Sequence, residues 1–264
     1  MKFKNILFLL LLGLLGGGNS FAQSEKDTLG VVKKDTLRVL FVGNSFTYFY
    51  NLPQVVNAMS AFSKKVHIET RTSLVGGSRI SQHLNKERGT ETIEILNKQT
   101  FDYVVINHHS LITIDDPDGF FESSKKMVEL VRSKNAIPIF MMTWAYHSNP
   151  LMIKNIAAAY NNMGKRLGVD IVPCGNLFSE VRKRRPDLDL FDDDDKHPSK
   201  HGTYLNGLTF FKYFTNEKTT DITKRITSVD KNGQKFWLLF LSQENAYFLQ
   251  QLVDEYDFKT RLKR

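Results

Sequence analysis

The chain predicts an α/β fold of three layers, with a doubly wound, five-stranded parallel sheet in a flavodoxin-like order between two layers of helices. Two observations carry that expectation. Apolar, β-branched runs begin at residues 37, 65, 102, 137 and 169, a spacing of 28 to 37 residues. The gaps between them carry apolar residues at helical spacing. That is the period of βαβ units, whose parallel strands are covered on both faces. Right-handed crossovers then favour the doubly wound order. No internal repeat and no linker rich in proline or glycine divides residues 37–264, so one domain is expected there.

The elements follow in order. Lys2 and Lys4 precede an apolar stretch over residues 6–15, then three glycines and Ser20-Phe21-Ala22. This describes a secretory signal peptide over residues 1–22; the apolar stretch is too short for a membrane span and its end is broken by glycine. Residues 23–36 are polar and read as a flexible leader. The first strand is 37–42 (LRVLFV), followed by a helix that begins near Leu52-Pro53 and turns Val55, Val56, Met59 and Phe62 inward. Strands are expected at 65–71 and 102–107. A helix carrying Met127, Leu130 and Val131 leads to a strand at 137–142. A helix carrying Ile153, Ile156, Ala157 and Tyr160 leads to the last strand at 169–173. Two helices close the chain: 202–215, with Leu205, Leu208, Phe211 and Phe214 on one side, and 241–256, with Ala246, Leu249 and Val253.

The 264 residues carry a formal charge of +8; loss of Lys2 and Lys4 with a 22-residue signal leaves 242 residues at +6. The basic clusters, residues 182–185 and the last six residues, are short and read as solvated faces, so nucleic acid is not an expected partner. An acidic polysaccharide or an envelope surface suits a basic exported protein as well. The one cysteine, Cys174, cannot form an internal disulfide and reads as a small buried hydrophobe.

In an open parallel sheet, ligands bind beyond the carboxyl ends of the strands. The first strand ends in Gly43-Asn44-Ser45-Phe46-Thr47, a turn that lets the backbone approach closely and presents Ser45; it could equally be a plain turn with a capping serine. Gly43 lacks the further glycines of a dinucleotide loop. The second strand runs into Gly76-Gly77-Ser78-Arg79, where free N–H groups could point at a ligand or the loop could be a hinge. The third ends in Asn107-His108-His109-Ser110. Adjacent histidines in an extended segment point to opposite sides, so they make a poor metal pair. Trp144 follows the fourth strand; it and Asn44 are expected to line a substrate pocket. In residues 187–205, Asp194 precedes His197 by three positions and Pro198 fixes the chain beyond it. A carboxylate so placed can hold the imidazole tautomer and leave the other ring nitrogen free to take a proton from a hydroxyl. The acidic run could instead be a solvated loop; as a calcium loop it lacks the glycine and the closing glutamate.

Taken in order, a strand-end serine, polar residues after strands two and three, and D-x-x-H-P-S near the C-terminus resemble the SGNH hydrolases, the GDSL-type esterase superfamily. The resemblance spans residues 37–207, closest to a branch with G-N-S-F-T at the serine and T-W-A after the fourth strand. It implies that Ser45 is the nucleophile and that Asp194 and His197 complete a triad. It also implies an oxyanion hole made by the N–H of Ser45, Gly77 (Gly76 being the alternative) and a third donor, Asn107 or His109. The third block departs from the superfamily's G-x-N-D. The implied activity is hydrolysis of an ester, an acetyl or other acyl group on a carbohydrate, by an exported enzyme. It would need no metal or organic cofactor and no membrane insertion once the signal is cut. The alternatives are a non-catalytic carbohydrate-binding protein on the same scaffold, and a metal-dependent phosphoesterase using residues 192–195.

Overall fold

A strand buried on both faces must be apolar on both, and the strands here obey that rule. In a computed structural model, residues 34–258 are described. The signal segment, most of the leader and the basic residues at the C-terminus lie outside them. β1 (Asp35–Gly43), β2 (Val66–Leu74), β3 (Tyr103–Ile106), β4 (Ile137–Met141) and β5 (Asp170–Val172) form one sheet, all parallel, in the order β2-β1-β3-β4-β5. Val39, Phe41, Val105, Ile139, Met141 and Val172 face one core. Leu40, Val42, Val104, Ile106, Phe140 and Ile171 face the other. The period of two along β1, β3, β4 and β5 thus feeds two cores at once, while the edge strand β2 buries only Ile68 and Ser73. β1 begins at Asp35, two residues earlier than expected, because Asp35 and Thr36 pair with Val66 and His67.

The helices are α1 (Ser45–Tyr48), α2 (Leu52–Met59), α3 (Ile80–Asn85), α4 (Thr92–Lys98), α5 (Ile112–Asp115), α6 (Pro117–Ser133), α7 (Met152–Leu167), α8 (Cys174–Arg184), α9 (Lys200–Thr215) and α10 (Gln243–Glu255). Apolar residues of α2, α8, α9 and α10 cover the first face. Those of α3, α4, α6 and α7 cover the second. Pro53 sits in the first turn of α2, where its missing N–H has no partner to lose. The last helices lie where the apolar spacing put them. α9 starts two residues earlier than its pattern, because Ser199 accepts hydrogen bonds from the N–H groups of His201 and Gly202 and caps it.

The main sheet has the expected five strands, but the chain also forms an antiparallel hairpin, β6 (Arg225–Val229) and β7 (Lys235–Phe240). Its inner residues Ile226 and Leu239 join the core beside α2 and α9.

Two histidines are fully buried. His108 lies between Phe120 and Phe140 and bonds Ser124 Oγ at 2.8 Å. His83, on α3, has Nε2 3.0 Å from the Gly43 carbonyl oxygen, so that nitrogen carries the proton. Burial drives His83 down to about 4, against the pull of that carbonyl bond. Burial, with the neighbouring His109 and His83, drives His108 down to about 3. Both groups stay neutral in the fold while the unfolded chain takes up protons near pH 6.5. Stability is therefore full above that pH and is lost as pH falls toward 4. From pH 7 to pH 5 the two should together remove about 4 kcal/mol of unfolding free energy. Urea unfolding followed by circular dichroism at the two pH values measures this.

Candidate active site

Ser45 is the first residue of α1, directly beyond the end of β1. Its N–H therefore has no acceptor within the helix. Asn44 caps this turn: Oδ1 accepts from the Phe46 N–H at 3.2 Å, and Nδ2 donates to the Ser78 carbonyl at 3.2 Å. With both ends of its amide engaged and the residue buried, Asn44 does not line a pocket as expected; it ties the serine turn to the loop after β2.

The Gly43 carbonyl receives three donors: the N–H of Val75 at 3.1 Å, Ser78 Oγ at 2.9 Å and His83 Nε2 at 3.0 Å. On its other side Gly43 meets the end of β3. A Cβ there would lie 2.8 Å from Asn107 Cβ and 2.9 Å from the Asn107 carbonyl oxygen, so only glycine fits.

The Ser45 hydroxyl lies 2.7 Å from His197 Nε2, across 152 positions of chain. His197 Nδ1 lies 2.5 Å from Asp194 Oδ2, and Asp194 Oδ1 accepts from the N–H groups of Lys196 and His197 at 3.0 and 2.9 Å. Burial alone would raise the Asp194 carboxyl; the bonds from the His197 backbone and ring and from Lys196 outweigh it and hold it below the ordinary value. Nε2 is left facing the serine, the arrangement in which an imidazole can take a hydroxyl proton.

Aromatic rings fix the imidazole. Phe49 stacks flat on it with centroids 4.0 Å apart, and Phe46 meets it edge-on at 5.3 Å. Phe46 in turn stacks on Trp144 at 4.8 Å, and Trp144 on Phe178 at 4.3 Å. Trp144 is fully buried, so it is not the pocket wall expected of it. Its indole N–H donates to the Lys196 carbonyl at 2.9 Å and so holds the histidine loop from beneath.

Gly77 occupies the third position of the turn from Val75 to Ser78, closed by a 3.0 Å bond from the Ser78 N–H to the Val75 carbonyl. Its φ of +65° is what that turn demands of glycine. The Gly77 carbonyl accepts from Arg88 at 3.1 Å. The turn stands beside Ser45, fastened through Asn44 and the Gly43 carbonyl. Tyr48 lies over Gly76: a Cβ on that glycine would come within 2.9 Å of the Tyr48 hydroxyl.

The two residues expected as a third oxyanion donor differ in access. Asn107 is buried, and its amide nitrogen and oxygen have neither solvent nor a hydrogen-bond partner. His109 is half-buried; burial first, and then the Arg79 charge, lowers it from the ordinary imidazole value, with Asp115 opposing. His109 thus lies within reach of the Arg79 and Asp115 charges, while His108 turns into the core, as adjacent residues should.

The acidic run is divided among separate tasks. Asp192 accepts from the Asp193 N–H, Asp194 holds His197, and Asp195 pairs with His147 at 3.3 Å. Among the described residues, no three His, Cys, Asp or Glu side chains gather to hold an ion. The basic cluster is also engaged within the chain. Arg182 bonds the Tyr146 and His147 carbonyls, Lys183 pairs with Glu180, Arg184 with Glu255, and Arg185 with Asp187 and Glu244. Cys174 is buried and burial raises its thiol.

No family model and no curated protein matches the chain. Solved structures do. A protein from Slackia heliotrinireducens, provisionally named an SGNH hydrolase, is 24% identical, with a TM-score of 0.59, over 69% of this chain and 100% of its own. A DUF4886 family protein from Bacteroides uniformis is 17% identical, with a TM-score of 0.67, over 83% and 94%. The acetylxylan esterase Axe2 from Geobacillus stearothermophilus is 16% identical, with a TM-score of 0.55, over 73% and 99%. The chain has the fold of the SGNH hydrolases, and the resemblance read from its sequence recurs in three dimensions.

Substituting Gly43→Ala tests the packing at the serine turn. The new methyl meets the backbone and Cβ of Asn107, neither of which can swing aside. It should lower unfolding free energy by about 1–3 kcal/mol in urea titration, the cost of overpacking a filled site.

Proposed function

We propose that this chain is an exported serine esterase that hydrolyses an acetyl or other acyl ester on a carbohydrate. The observation that carries the reading is the chain of contacts from Asp194 through His197 to the hydroxyl of Ser45. Export rests on the signal-like N-terminus. The carbohydrate rests on that compartment and on likeness to an acetylxylan esterase.

In this reaction His197 Nε2 takes the Ser45 proton as Oγ attacks the ester carbonyl. The tetrahedral oxyanion is held by the N–H groups of Ser45 and Gly77 and by His109. His109 is assigned as third donor because it is half-exposed and its burial favours the uncharged ring, whereas the Asn107 amide is closed to solvent. The C–O bond then breaks; His197 gives its proton to the leaving alcohol, and the acyl group stays on Ser45. Water, deprotonated by the same nitrogen, attacks the acyl-enzyme and releases the acid. Asp194, held anionic by its two backbone N–H donors, keeps Nδ1–H oriented and stabilises the imidazolium that forms twice per turnover.

Ser45→Ala should abolish release of p-nitrophenol from p-nitrophenyl acetate while the circular dichroism spectrum stays unchanged; undiminished turnover would reject the nucleophile. His109→Ala should lower kcat about 10²-fold with KM nearly constant, the signature of a donor that acts on the transition state. If Asn107→Ala produced that loss instead, at unchanged stability, the donor would be the asparagine.

A further inference from the structure

We propose that the outer face of the β6–β7 hairpin is a platform for a neutral polysaccharide chain that runs into the site at Ser45. The proposal rests on the esterase reading above and names the form of its substrate. A β-bulge builds the platform. Thr227 pairs with Trp237, but its neighbour Ile226 pairs with Leu239, leaving Leu238 as an extra residue. The bulge puts Trp237 and Phe240 on one face, three positions apart, with ring centroids at 5.6 Å. The Arg225 guanidinium stands 5.6 Å from one ring and 4.7 Å from the other, stiffening the pair.

The other face is closed. Ile226 and Leu239 are buried, and Ser228 Oγ accepts from Gln54 of α2 at 2.8 Å. The hairpin therefore cannot turn its aromatics inward, and Trp237 stays 62% and Phe240 42% exposed. Large rings grouped on the surface mark a binding face.

One strand of the hairpin borders the site. β7 runs against Phe49–Asn51, the turn whose Phe49 lies on the His197 ring. Tyr50 in that turn and Tyr48 just before it are each 43% exposed. Tyr50 and Asn51 hold left-handed φ values of 47° and 52°, uncommon for such residues and maintained only where the surroundings impose them.

The occupant follows from the chemistry. A pyranose ring offers an apolar C–H face to an aromatic ring and keeps its hydroxyls in water at the rim. An anionic polymer would meet Asp189, Asp192 and Asp193, whose charges reach Tyr50 and, after burial, raise its phenol. A bilayer would require the rings at the tip of the hairpin. The tip is Asp230-Lys231-Asn232-Gly233-Gln234, with the Asp230 carboxylate accepting from the N–H groups of Asn232 and Gln234.

Full-length Ser45→Ala is run through native gels containing acetylated xylan or acetylated glucomannan, and is sedimented with phosphatidylcholine/phosphatidylglycerol vesicles. Neither measurement needs turnover, so loss of binding and absence of hydrolysis in the wild type are separable failures. At least one polymer should retard the protein. Adding Trp237→Ala and Phe240→Ala should weaken that retardation about tenfold or more, and Trp237→Tyr, which keeps a flat face, should restore most of it. In the otherwise wild-type enzyme the double substitution should leave p-nitrophenyl acetate turnover unchanged. No retardation by either polymer, retardation indifferent to the substitutions, or binding to vesicles alone would overturn the platform.

Discussion

Ser45 meets His197 because the loop of residues 191–198 is closed on itself and anchored from below. A single bridge joins Phe191 to Pro198; its flanks are sealed by bonds from the Asp192 N–H to the His197 carbonyl and from the Ser199 N–H to the Leu190 carbonyl, each 2.9 Å. The Trp144 indole holds Lys196, the residue before the histidine. Asp195 is tied to the segment after β4 by the His147 N–H at 3.0 Å. An imidazole on an unsupported surface loop would sample many rotamers, and each would have to be frozen out before proton transfer. Here the ordering is built into the fold, and Phe46 and Phe49 fix the remaining ring angle.

The serine side is held by a different device, a crowded carbonyl. Three donors converge on the Gly43 oxygen, two of them from buried side chains, and this locks the turn before Asn44 against the loop that carries Gly77. A carbonyl has two lone pairs, so the arrangement binds β2, α3 and the serine turn into one unit instead of optimising any single bond. The strand supplies direction, the carbonyl supplies position, and Asn44 couples both to the neighbouring turn. In the proposed reaction this lets two backbone N–H groups from different elements face one oxyanion without rearrangement.

The sheet, its order and most helices were legible because β1, β3, β4 and β5 are buried on both faces and most helices on one, which leaves strong periodicities. The pairing of Ser45 with Asp194 and His197 was legible only through the order of motifs. Nothing in the spacing of Trp144 separates a pocket wall from a core plank, since an aromatic residue after a strand can face either way. Asn44 differs for a related reason: a polar residue beside a serine offers two uses, and here its oxygen caps the Phe46 N–H while its nitrogen is taken by the Ser78 carbonyl. The hairpin had its signals, an Asn-Gly turn between two short apolar-bearing strands, but no helix between those strands to make a βαβ period. The donor choice between Asn107 and His109 depends on solvent access at the end of β3, a property of packing that no local pattern records.

Net charge is a poor guide to this site. The chain is basic as a whole, yet the surface beside His197 is acidic, with Asp189, Asp192 and Asp193 acting on Tyr50. The four cations of residues 182–185 do not offset that field toward a ligand, because each is already committed to a carbonyl or a carboxylate of this chain. The charges around Ser45 are thus mixed: acidic on the Tyr50 side, basic at the Gly77 turn, where Arg88 donates to the Gly77 carbonyl and the Arg79 charge acts on His109. Under the proposed function, selection would then fall to shape and apolar contact, for which the exposed rings of Tyr48 and Tyr50 are at hand on either side of Phe49, the residue stacked on His197.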